Sequence, residues 1–118
     1  MRRAREGVLL RIFIGDSDRA EGRPLYQVLV ERARAMGLAG ATVLHGPMGY
    51  GRHSRVHTMK LVELSADLPV VIEIVDSHEA IERFLVEVDR LVLEGLVTME
   101  KVRIVDYGSR DGGEGDPA

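Results

Sequence analysis

Apolar residues recur along this chain with two periods, one suited to strands and one to helices. Residues Val8 to Ile14 form an aliphatic run in which Arg11 is the only polar residue, the signature of a strand with one face incompletely covered. The basic stretch MRRARE before it reads as a lead-in, and GDSDRAEGR after it as a loop. Leu25, Val28, Leu29, Ala33 and Met36 then recur at helical spacing, with Pro24 suited to a first turn and Gly37 to a left-handed cap. This predicts a helix over 24–36. A second strand is expected over 39–45 and a long glycine-rich loop over 46–58. A short strand over 59–64 follows. Val70 to Val75 is the clearest strand of the chain. Asp76, three residues before Glu79, resembles a capping box, and Ile81, Phe84, Leu85, Val88, Leu91 and Val92 make one broad stripe. A second helix over 77–93 follows, then a connector, LVTMEK, and a last strand from Val102 to Val105.

The order is β-α-β, loop, β-α-β, the split βαβ plan of the ferredoxin-like α+β fold, with an antiparallel sheet and two helices. Right-handed crossovers put both helices on one face of the sheet. The other face is too apolar to stay wet and the chain has no third layer, so association of copies through the sheet is expected. A single domain over 1–107 accounts for the pattern. The Gly- and Asp-rich stretch 108–118 is expected to be a disordered tail.

Composition narrows the functions. A chain of 118 residues needs no disulfide or metal to hold a core, and it has no cysteine, which excludes thiolate zinc sites and thiol nucleophiles. That usage fits a reducing cytoplasm. The formal net charge of −3 argues against a nucleic-acid binder, and no aromatic pair suited to base stacking marks the strands. No apolar run approaches the roughly 20 residues of a membrane helix. Ser54 near His53 and His57, or Asp16 with Asp18, make no nucleophile–base–orienter set, so catalysis is not expected. His45, His53 and His57 match no standard metal-ligand spacing. Gly46, Gly49 and Gly51 would let backbone amides approach a base or phosphate closely, or serve only as tight turns. Lys101 and Arg103, two apart on the last strand, point to one face and suit phosphate charge.

Gly40, Thr42 and Val43, followed by Gly49, Tyr50, Gly51 and Arg52, resemble the second strand and T-loop root of PII signalling proteins. The segments IFIGDSDRAEGRPLYQVLVERARAMGLAGATVLHGPMGYG, EIVDSHEAIERFL and EGLVTMEKVRIVDYG are similar to the PII-like group known as domain of unknown function one-ninety (DUF190), over residues 8–107. This resemblance implies a homotrimer with adenine-nucleotide sites in its intersubunit clefts. It also implies a regulatory action on a partner, such as a membrane transporter. The implied ligand-binding set is Thr42, Val43, Gly46, Gly49, Tyr50, Gly51, Arg52, Val75, Thr98, Lys101 and Arg103. The base would lie near Thr42, Val43, Gly49 and Gly51, and the phosphate near Lys101 and Arg103. One departure matters. Where PII proteins carry Gly-Asp-Gly-Lys, this chain has Thr98, Met99, Glu100 and Lys101. The lysine remains, both glycines are gone, and Glu100 adds a negative charge. AMP, ADP or a cyclic nucleotide is therefore favoured as effector over ATP. The alternative is a metal-responsive or structural trimer similar to CutA proteins.

Overall fold

The computed structural model describes residues 2–50 and 67–108. The elements run β1 (Arg2–Gly15), β2 (Arg19–Ala20), β3 (Arg23–Pro24), α1 (Leu25–Ala35), β4 (Thr42–His45), β5 (Pro69–Asp76), α2 (His78–Leu91) and β6 (Leu96–Tyr107). The main sheet has the order β4-β5-β1-β6, with every neighbouring pair antiparallel. This is the ferredoxin-like arrangement. The strand expected over 59–64 and most of the 46–58 loop lie outside the described residues, as does the tail beyond Gly108.

Alternation along the strands builds the core. Val8, Leu10, Ile12 and Ile14 on β1 and Val70, Ile72 and Ile74 on β5 are buried. They form one cluster with Leu25, Val28, Leu29 and Ala33 of α1 and Ile81, Phe84, Val88 and Leu91 of α2. Both helices therefore lie on the same face of the sheet. Burying side chains of this kind contributes about 1.5–3 kcal/mol each, so this one layer carries most of the fold's hydrophobic stabilisation.

Local chemistry explains the ends of the elements. Gly37 sits at φ +82, where an L side chain is strained, and closes α1 as expected. Between β2 and β3 a two-residue turn places Glu21 at φ 53 and Gly22 at φ 75, so GDSDRAEGR contains a tight hairpin. Arg32 on α1 pairs with Glu21 at 2.9 Å and with Glu87 on α2, tying hairpin and helices together. The cap of α2 is Ser77, whose hydroxyl accepts from the Ala80 N–H at 3.1 Å. Asp76, the expected cap, instead accepts from the Ala39 and Ser77 N–H groups. It thereby ties the turn after α1 to the end of β5.

Two strands are longer than the sequence pattern predicts. β1 begins at Arg2, so the basic lead-in is itself strand. β6 begins at Leu96, so Thr98 to Lys101 lie within a strand rather than on a connector. Arg2 pairs with Tyr107 and Phe13 with Leu96, whereas β5 reaches β1 only from Val8 to Gly15. Residues 2–7 and 102–107 thus project past the rest of the sheet as a two-stranded ribbon. Gly7 lies where the ribbon leaves the sheet and is buried. A Cβ there would stand 2.2 Å from Ile104 Cδ1 and 2.9 Å from the Asp76 carbonyl oxygen.

Candidate functional site

Register divides the expected ligand-binding residues between the two faces of the sheet, because directly paired residues point the same way. Thr42 pairs with Glu73, Glu73 with Arg11, and Arg11 with Thr98. These four cross the face away from the helices as one polar row. Arg11 donates to Glu73 at 2.9 Å and to Glu100 at 3.4 Å. The Glu73 bond, ahead of the weaker charge effects, holds the Arg11 guanidinium above its already high ordinary value. Val75, paired with Leu9, lies on this same face. Around the row lie Leu44, Val75 and Leu96, all exposed. Val43, Lys101 and Arg103 belong to the opposite, helix-bearing face, with Val43 packed against the core and both cations exposed.

The same residues are also divided between the two edges. Thr42, Val43, Gly46, Gly49 and Tyr50 lie on or just beyond β4, at one edge of the sheet. Thr98, Lys101 and Arg103 lie on β6, at the other. Three inter-strand steps separate these edges, roughly 14 Å. One protomer does not bring its base-side residues to its phosphate-side residues. Gly51 and Arg52 lie outside the described residues.

The loop root has its own geometry. The Gly46 N–H donates to the Pro69 carbonyl at 2.8 Å, so that amide is already engaged. A Cβ on Gly46 or Gly49 would meet Pro69 Cγ at 2.9 or 3.0 Å. These two glycines let the chain fold closely over the proline ring. Tyr50 is exposed. His45 contacts Asp16 at 3.3 Å and meets the Tyr26 ring edge-on at 5.2 Å. His53 and His57 lie outside the described residues, and among the described residues no three potential ligands converge as a metal site.

On β6, Lys101 and Arg103 form no ion pair among the described residues. Arg103 borders a shallow pocket of about 430 Å³ on the helix-side face of the ribbon, together with Arg2, Ala4, Val105 and Tyr107. Sequence reasoning found Arg103 and missed the rest. No period-two signal marked the β1 half, because Arg2 and Glu6 on one face and Arg3 and Arg5 on the other leave both faces polar.

The family model described as "Uncharacterized ACR, COG1993", DUF190, matches residues 7–104. The chain belongs to the DUF190 family. A UPF0166 protein of Aquifex aeolicus is 44% identical over 97 residues, which cover 82% of this chain and 91% of that protein. Among solved structures, the apo form of CPII from Thiomonas intermedia K12, a nitrogen regulatory PII-like protein, aligns with a TM-score of 0.63 at 11% identity. That alignment covers 91% of this chain and all of CPII. CPII bound to ADP, AMP and bicarbonate aligns with a TM-score of 0.62 at 13% identity, over 86% of this chain and 98% of that one. The DUF190 chain thus has the PII-like fold, as its sequence resemblance implied. No helix among its described residues is long and apolar enough to cross a membrane.

Proposed function

We propose that this DUF190 protein is a PII-like signalling protein that binds a small adenine nucleotide between the subunits of a trimer and acts on a partner without catalysis. The observation that carries the reading is the placement of the base-side and phosphate-side residues at opposite edges of one sheet. A ring of copies juxtaposes the β4 edge of one protomer with the β6 edge of the next, and only then is the site complete. The face away from the helices carries Leu9, Phe13 and Val75 beside its polar row, and no element among the described residues covers it, which supports the same assembly. The nucleotide-bound forms of CPII, a protein of the same fold, agree with the ligand class. In this reading ligand binding switches the 46–58 loop, which then acts on the partner.

Charge favours few phosphates. Lys101 and Arg103 supply two cations on the helix-bearing face, where Glu6 sits directly across from Arg103, while Glu100, whose charge the sequence placed beside them, lies on the opposite face against Arg11. Residues 98–101 are paired in a strand, so their amides do not form a phosphate cradle. Calorimetric titration with AMP, ADP, ATP and cyclic AMP tests this, with native mass spectrometry reading the assembly. A trimer that binds AMP at least tenfold more tightly than ATP is expected. A monomer at micromolar concentration, or AMP affinity unchanged by Lys101→Ala and Arg103→Ala, refutes it.

A further inference from the structure

We infer that Arg2 and Tyr107, together with the dip at Ala4, complete the phosphate half of the nucleotide site, so that the β1–β6 ribbon is a ligand arm for a nucleoside monophosphate. The inference rests on the reading of Arg103 as a phosphate contact. It begins from the ribbon's cross-strand pairs. Arg2 faces Tyr107, Ala4 faces Val105 and Glu6 faces Arg103, all on one face. The smallest side chain, Ala4, lies between Arg2 and Glu6 along β1 and diagonally across from Arg103. That accounts for a depression of about 430 Å³ on a surface that would otherwise be filled.

The lining has the chemistry of a phosphorylated aromatic molecule. Arg2 and Arg103 form no ion pair among the described residues, although Glu6 sits directly across from Arg103. Two guanidiniums against one carboxylate leave this face cationic, and guanidinium is the group best suited to bidentate phosphate contact. Tyr107, 76% exposed, and Val105, 42% exposed, offer a ring face and an aliphatic floor beside the charges. A monophosphate, with about −1.5 to −2 charge at neutral pH, is matched by the two ribbon guanidiniums with Lys101 one step nearer the core. The arm stays open on one side, as half of an intersubunit site must.

The test titrates AMP and adenosine against the wild type, Arg2→Gln, Ala4→Leu and Tyr107→Leu, with native mass spectrometry confirming that each variant keeps the wild-type assembly. Arg2→Gln is expected to weaken AMP about tenfold while leaving adenosine unchanged, which marks a phosphate contact. Ala4→Leu, which fills the dip, is expected to weaken both at least tenfold, and Tyr107→Leu to weaken both severalfold. AMP affinity unchanged by Arg2→Gln and Ala4→Leu, while Arg103→Ala abolishes it, overturns the ribbon inference and leaves the nucleotide reading standing. If Arg103→Ala also leaves AMP affinity unchanged, the nucleotide reading itself fails and the inference falls with it.

Discussion

Replacing Gly7 by alanine places a methyl group where the ribbon leaves the sheet. The new Cβ would stand 2.2 Å from Ile104 Cδ1, 2.9 Å from Ile104 Cγ1 and 2.9 Å from the Asp76 carbonyl oxygen, against a carbon contact of about 3.5–4.0 Å. The isoleucine end can swing aside, at roughly 0.5–1.5 kcal/mol for a strained rotamer. The carbonyl is backbone and moves only with β5. Overpacking of this kind costs about 1–3 kcal/mol, and the reduced freedom of the unfolded chain returns about 0.4–1 kcal/mol. A net destabilisation of about 1–2 kcal/mol is expected in urea unfolding at constant m-value. Ile104→Ala removes both side-chain clashes, so Gly7→Ala is expected to cost about 1 kcal/mol less in that background, a coupling a double-mutant cycle resolves. An equal cost in both backgrounds, or a Gly7→Ala protein within about 0.3 kcal/mol of wild type, would show that Ile104 does not fill the space over Gly7.

Two further substitutions probe other joints. Ser77→Ala removes the α2 cap and is expected to lower stability by about 1 kcal/mol, whereas Asp76→Asn, which keeps an acceptor for the Ala39 amide, is expected to cost less in the same unfolding assay. Glu31 is held below its ordinary value by its hydrogen bond from Arg23. A lowered carboxylate stabilises the folded state above the ordinary range of about pH 4.3, and that contribution is lost as pH falls through the folded-state value. Glu31→Gln should therefore flatten the acid limb of stability against pH, and an unchanged limb would remove this pair from the account.

The elements legible in the sequence are those in which periodicity and burial agree. The stripe from Ile81 to Leu91 marked α2, and the run from Val70 to Val75 marked β5, because tertiary packing reads the same residues that the pattern displays. The β1 half of the ribbon and the first part of β6 were hidden for the opposite reason. Arg2, Arg3 and Arg5, and Thr98, Glu100 and Lys101, are strand residues held by cross-strand hydrogen bonds rather than by burial, so no apolar alternation announces them. Asp76 was mistaken for a cap because spacing does not reveal which of two adjacent side chains turns toward a helix end. For the candidate site, residue types were readable and their placement was not. That Thr42 and Arg103 occupy opposite edges follows from strand order, which is decided by pairings between distant segments.

Those pairings also govern how the chain reaches its fold. β1, the first strand made, lies between β5 and β6, and Arg2 finds its partner only when Tyr107 exists. Sequence-distant pairing of this sort slows folding, because loop closure precedes the contacts that reward it. During synthesis β1 must therefore wait with both edges unpaired and its apolar residues uncovered, in the state most prone to pair with the wrong strand. The charges at Arg2, Arg3, Arg5 and Glu6 make that half of the waiting strand a poor template for aggregation. The arginine-rich stretch that carries the proposed ligand arm thus also guards the nascent protein until its last strand arrives.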